Sequence, residues 1–468
     1  MVVSLFDAVR DEFRCAKSLA SPGCALDRPA GLVSAATRRQ TTIYLLAEWG
    51  ALGLIAVGEC GILNMDLYTN ATDRETGFME KKRILLIHNF YQIGGGEHTV
   101  FENEKQLLEA QGHKVFAYTR SNLELKGAPW KLLRVPFATV WSFRTFFAIR
   151  RLIKEKGIDV VHCHNTFPLI SPSCYYAARS RKVPVVQTVH NFRFACPNGL
   201  CFRDGAVCED CLAGNSLKPA GKHGCYRGSR LQTAPVVAML KLHRRLGTYR
   251  KIHYIFLTEF NRQKLLPHLG VPLEQTHLKP NFVRRPETPF QSASGKRFVY
   301  AGRLDENKGI GFLLKAWEAL PEDYILHIYG DGPYKDACLE ASRRMGNIRF
   351  FGFRPREEIF GDLGSAVGLV FPSTWYEGFP MVLAESFSLG RGILCADLGN
   401  HGDLVRTSGG GVCYTPGDVD SFVRGAMALA EQSGVYGERA ENYYRDRLSP
   451  EKNYEMLCDI YDKAEYVP

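Results

Sequence analysis

The stretch VGLVFPSTWYEGFPMVLAE, residues 367–385, decides how this chain is read. It opens on an apolar run, 367–371, with the length and branching of a buried strand. A polar loop follows from 372 to 379, and Pro380 is expected to open a helix as its first residue, where a missing N–H costs nothing. A strand that feeds a helix through a loop is the repeating unit of a doubly wound parallel sheet. The free amides of that helix start, with Gly378 letting the backbone come close, suit a phosphate or a sugar hydroxyl. Glu377 falls in the loop and Glu385 about two turns along the helix, so both can face one cleft at different depths. Two acceptor-only groups can then grip hydroxyls at two ends of one ligand. Two glutamates alone can equally be unrelated surface groups.

A second stretch lies upstream, FVYAGRLDENKG, residues 298–309. It reads as a buried strand breaking at a glycine, with a helix beginning near Gly309. The strand's carboxyl end presents Arg303 and Lys308 together, a fork and a point charge suited to a diphosphate. As isolated groups they would be ordinary solvated loop cations. The ordered set, an apolar strand ending in Gly302-Arg303 and then Lys308, followed by Glu377 and Glu385, closely resembles family 4 of the retaining glycosyltransferases. Those enzymes have the GT-B fold, two Rossmann-like domains facing each other across a cleft. The resemblance runs from about Lys82 to the C-terminus.

The resemblance implies roles. Arg303 and Lys308 would neutralise the leaving nucleoside diphosphate, and Glu377 with Gly378, Phe379 and Pro380 would hold the donor sugar. Glu385 would grip the ribose, and the backbone at Gly352 and Phe353 would contact the base. It further implies retention of anomeric configuration through an oxocarbenium-like transition state, in which charge stabilisation matters more than a dedicated base. No aspartate-rich metal motif is present, so no catalytic metal is expected.

The first half supplies the other wall. Residues 83–88 read as a buried parallel strand, and Gly94-Gly95-Gly96 as a loop before a helix over about 97–111. The glycine spacing does not fit a dinucleotide fingerprint. A tight strand-to-helix turn would explain it, and the resemblance places Gly95 and Gly96 beside donor phosphate and acceptor. His190 ends the strand 183–189, at the sheet edge where open α/β sheets bind ligands, and the family often has a sugar-contacting histidine there. His162 and His164 end another strand and either shape the acceptor pocket or cap the strand.

Between residues 196 and 225 lies a cysteine-rich insertion that the common family pattern lacks. Cys208 and Cys211 form a C-x2-C knuckle, and Cys196 and Cys225 complete a candidate tetrahedral thiolate site for structural zinc, with Cys201 spare. Such a loop has too few apolar residues for its own core, so a metal staple would explain its order. Disulfides or unrelated free thiols are the competing readings.

The expected domains are 79–283 on the acceptor side, a proline- and serine-rich linker over 284–295, and 296–450 as the nucleotide-sugar-binding domain. A C-terminal helix, 451–468, is expected to cross back to the first domain. Residues 1–78 fall outside this scheme. They read as an overextended start, a poorly ordered extension or, less readily because Glu48 and Glu59 interrupt 43–63, a membrane anchor. The formal net charge of +10 invites a nucleic-acid reading. A milder source is the basic and aromatic segment 130–156, suited to resting on anionic lipid, so no nucleic-acid partner is expected. Fourteen cysteines without paired spacing point to a reducing cytoplasm, or its peripheral membrane face.

Together these features imply a glycosyltransferase that moves a sugar from a nucleotide-sugar to a glycan or lipid-linked acceptor, in cell-envelope polysaccharide or lipopolysaccharide synthesis. A GT-B sugar-nucleotide epimerase and a non-catalytic, zinc-stapled glycan- or membrane-binding protein are the alternatives.

Overall fold

The computed structural model describes residues 80–468 except 93–94, 127–132 and 287–294, together with four short strands within 1–79. The chain divides into two compact units, Met1–Met79 and Glu80–Pro468. In the first unit the strands Val33–Ala35, Thr42–Glu48, Ala51–Gly58 and Gly61–Ile62 pair antiparallel in sequence order. The stretch 43–63, read as a possible anchor, falls largely on three of these strands instead of one helix. The rest of 1–78, most of the linker, and Trp130 and Lys131 lie outside the described residues.

The second unit holds two six-stranded parallel sheets. In the first lobe these are β1 Arg83–Phe90, β2 Lys114–Ser121, β3 Val160–Asn165, β4 Val185–Val189, β5 His253–Phe256 and β6 Thr276–Leu278, in the order β6-β5-β4-β3-β1-β2. β1 sits between two partners with helices on both faces, which is why Ile84 to Ile87 are apolar without alternation and fully buried. Each such aliphatic side chain contributes roughly 1.5–3 kcal/mol by leaving water.

The second lobe comprises β7 Lys296–Ala301, β8 Tyr324–Tyr329, β9 Ile348–Gly352, β10 Gly368–Phe371, β11 Gly392–Ala396 and β12 Gly411–Tyr414, in the order β9-β8-β7-β10-β11-β12. Its core is built around Trp317, Phe298 and Phe422. The order reverses between β7 and β10, and a ligand crevice opens outside the carboxyl ends of strands at such a switch point. The two expected Rossmann-like domains are therefore present.

Some local expectations shift. The helix after β10 spans Met381–Ser388, with Pro380 as its extended N-cap instead of its first residue, so Glu385 stands little more than one turn in. The helix after β7 begins at Ile310, because Glu306–Lys308 forms a single 3-10 turn ended by left-handed Gly309. The final helix, Pro450–Lys463, lies against the first lobe: Tyr454 OH is 2.9 Å from His113 Nε2, and Tyr461 OH is 2.7 Å from His162 Nδ1.

Candidate active site

β7 and β10 are hydrogen-bonded neighbours, so the loops leaving them meet although about seventy residues separate them. Gly309, at φ +71°, allows the contact, because a Cβ there would fall 1.9 Å from the Pro372 carbonyl oxygen. The result is a hub on Glu377. Its Oε1 accepts from Lys308 Nζ at 2.6 Å, Ser373 Oγ at 2.7 Å and Trp375 Nε1 at 2.7 Å. Burial alone would push this carboxyl up, but Lys308 and the hydrogen bonds from Lys308 and Ser373 outweigh it and hold it below the usual carboxylate range. Oε2 carries none of these three bonds. Beside the hub, burial takes the His401 ring down to about 4 against the pull of Glu377, so it is neutral at pH 7.

Arg303 and Lys308 leave the same turn but separate. Arg303 is 77 % exposed and pairs with Asp305 Oδ2 at 2.7 Å, while Lys308 turns inward. Asp305 also caps the turn, its Oδ1 accepting from the Lys308 backbone N–H. Glu385 does not reach the Glu377 hub. It accepts from Arg356 Nη2 at 2.5 Å, and burial raises its carboxyl even against that guanidinium. Arg356 begins the helix after the loop that carries Gly352, at φ +70°, and the exposed ring of Phe353. The pair thus joins the Gly352–Phe353 loop to the Glu385 helix. Sequence reasoning missed Arg356, whose signal is a cation opening the helix just past that loop. Phe379 buries its ring in the second lobe, leaving only its backbone for a ligand.

The first lobe closes against this loop. A cleft of about 380 Å³ is lined by Gly95, Gly96 and His190 on one side and Glu377, Gly378 and Phe379 on the other. Gly378 is essential to the approach, since a Cβ there would lie 2.2 Å from the His190 carbonyl oxygen. The Gly378 carbonyl accepts from Asn261 Nδ2 at 3.2 Å and Asn400 Nδ2 at 3.0 Å, one from each lobe. Thr258, which caps the Asn261 helix, also donates to the Asn400 side chain. A further group in the cleft is Glu97, next to Gly96. Its carboxyl accepts from Asn191 Nδ2 at 2.9 Å, and burial raises it above the usual range. The glutamate directly after three glycines was its only signal.

Cys196, Cys208, Cys211 and Cys225 line one small cavity of about 10 Å³, and their thiols are free. Their sulfurs are not at ligating spacing. Among the described residues, the group whose ligand atoms all lie within 4.8 Å of one another is Glu104, His162 and His164. The insertion reaches the donor-side loop. Phe202 packs edge-on against Trp375, and Glu209 pairs with Lys264 at 2.6 Å, an ammonium that sits over the Tyr376 ring.

The basic and aromatic segment forms the helices Val135–Val140 and Phe143–Lys156. Thr145, Ile149 and Ile153 face inward, while Phe137, Phe143 and Phe147 are largely exposed. Among the described residues no helix is long and apolar enough to cross a membrane.

Residues 93–285 match the family described as Glycosyltransferase Family 4, and residues 295–432 match Glycosyl transferases group 1. Exopolysaccharide phosphotransferase SCO2592 of Streptomyces coelicolor is 28% identical over 196 residues, 40% of this chain and 21% of that protein. Lipopolysaccharide 1,6-galactosyltransferase of Salmonella typhimurium is 30% identical over 134 residues, 27% of this chain and 37% of that protein. The chain thus spans well under half the length of these two curated relatives. Anabaena HepE, solved in complex with UDP, superposes with a TM-score of 0.55 at 16% identity, covering 81% of this chain and 99% of that one. The fold is GT-B.

Proposed function

We propose that this chain, whose two lobes match glycosyltransferase family models in succession, transfers a sugar from a nucleotide-sugar to a hydroxyl of a glycan or lipid-linked acceptor, with retention, in envelope polysaccharide synthesis. The observation that carries this reading is the Lys308–Glu377 pair set opposite Gly96 and His190 across one cleft. A diphosphate entering beside the turn 303–308 would draw Lys308 and the exposed Arg303 onto its oxygens. Both would then stabilise the charge that develops as the glycosidic bond breaks. Glu377, its Oε1 already occupied, would offer Oε2 to the sugar hydroxyls, with the amides after Gly378 beside it.

Glu385 would hold the ribose, oriented by Arg356, and the backbone of Gly352 and Phe353 would border the base. The polar contacts through Gly378 would bring the lobes together over the sugar and exclude water. The lipopolysaccharide transferase among the relatives supports the acceptor class. The exposed Phe137, Phe143 and Phe147, among basic side chains, would rest the first lobe on an anionic lipid surface.

One structural zinc ion is proposed at Cys196, Cys208, Cys211 and Cys225 because they line one cavity, and binding it requires their sulfurs to close in from the spacing they have here. Four thiolates leave no open position for catalysis. Incubating the protein with a panel of nucleotide-sugars and lipid-linked acceptors, and reading products by mass spectrometry, tests the proposal. Donor consumption with no dependence on acceptor would indicate an epimerase instead, and donor binding without turnover a binding protein.

A further inference from the structure

We propose that Glu104 and His164 are positioning residues that fix the tautomer of His190, so that His190 offers the cleft an unprotonated Nδ1, a hydrogen-bond acceptor for a sugar hydroxyl. The role at the sugar rests on the function proposed above; the tautomer does not. The device runs inward from His190, which lines the cleft. His190 Nε2 lies 3.1 Å from His164 Nδ1, with the rings stacked at 5.3 Å between centroids. On its far side, His164 Nε2 faces Glu104 Oε2 at 3.3 Å. Both of these atoms are buried, and neither makes a hydrogen bond of ordinary geometry to any described residue, so this 3.3 Å approach is the polar contact each has. The other carboxylate oxygen, Oε1, accepts from Lys279 Nζ at 2.6 Å, and Lys279 also donates to Asn453 Oδ1 at 2.9 Å. Glu104 and Lys279 are both fully buried.

The proton positions follow from charge and valence. Glu104, an ion paired with a fixed ammonium, can only accept. Burial would push its carboxyl up, but it is held well below the usual range, with the Lys279 ammonium as the largest opposing influence. With a single ring proton, His164 places it on Nε2, toward a carboxylate that can only accept, and leaves Nδ1 as an acceptor. His190 must then donate through Nε2, which strips its Nδ1. Burial keeps the His190 ring well below the usual imidazole range, so it stays neutral at working pH. His162 imposes no such order, since both its nitrogens meet hydroxyls, of Tyr461 and Thr188, that can donate or accept. Lys279 also supplies from within the chain the cation that the Glu104, His162 and His164 cluster would otherwise suit.

The test is nitrogen-15 NMR of the full-length chain labelled at histidine, which reads each ring nitrogen without turnover. In the native protein His190 should show a protonated Nε2 and a bare Nδ1. The double variant Glu104→Leu with Lys279→Met replaces the buried ion pair by apolar residues, an exchange that commonly preserves folding. There His190 should become a mixture of tautomers. Transfer should fall ~10-fold, the loss of one hydrogen bond in the transition state, while nucleoside diphosphate binding stays unchanged. His164→Phe, which removes the acceptor for His190 Nε2, should act in the same way. A native His190 protonated at Nδ1, or a double variant that keeps the native tautomer, would overturn the proposal. The native tautomer in a protein that transfers no sugar would leave it standing and reject the proposed function.

Discussion

Lys308→Ala separates a catalytic cation from a merely structural one. In the native protein Lys308 Nζ is one of three donors to Glu377 Oε1, at 2.6 Å, and its side chain is 22 % exposed. Its removal deletes one charge-assisted bond to a buried carboxylate, worth about 1.5–3 kcal/mol, with the lower half of that range favoured because Ser373 and Trp375 remain. The sign with pH follows from the direction of the Glu377 shift. A carboxyl held below its ordinary value contributes stability that is complete above the unfolded value, about 4.3, and is lost as pH falls through the folded value. The stability gap between native protein and variant should be widest near neutrality and close in acid. Denaturant unfolding at pH ~7 and pH ~3.5 reads this directly. Turnover at pH 7 should fall ~10²-fold or more, because stabilisation of the leaving diphosphate is lost. A stability gap of equal size at both pH values would refute the ion-pair account. Near-normal turnover in the folded variant would reject the leaving-group role.

Glu385→Ala should raise the KM for the nucleotide-sugar ~10-fold with little change in kcat, the pattern of lost uniform binding; a fall in kcat alone would place Glu385 at the chemistry. Arg356→Ala should do the same more weakly, since the pair is partly exposed. Protein purified without added zinc should carry close to one equivalent by elemental analysis, and Cys208→Ser with Cys211→Ser should lose it; native protein with less than half an equivalent would argue against the site. Phe143→Ser with Phe147→Ser should weaken sedimentation with phosphatidylglycerol vesicles and leave transfer to a soluble acceptor unchanged; undiminished sedimentation would move the lipid contact elsewhere.

The buried centres of both sheets were legible because inner parallel strands such as Arg83–Phe90 and Gly368–Phe371 are apolar on both faces. The edge strands Thr276–Leu278 and Gly411–Tyr414 were not, being short and partly exposed, with little pattern to read. Motif spacing pointed to Lys308 and Glu377, whose strands are sheet neighbours. It could not show that Arg303 turns outward to Asp305, a choice made by the cap of one short turn. Nor could it pair Arg356 with Glu385, or thread Glu104, His164, His190 and Lys279 together, because those contacts join elements far apart in sequence. The four cysteines chosen by spacing do share one cavity, yet spacing alone gave no hint that Phe202 and Glu209 would reach the loop that carries Glu377.

The most direct test of the central claim is the proton NMR spectrum of the product formed from an α-linked nucleotide-sugar and a lipid-linked acceptor. The account predicts acceptor-dependent release of nucleoside diphosphate and a new α linkage, both abolished in Lys308→Ala. A β-linked product, or donor turnover that proceeds unchanged in that variant, would contradict it.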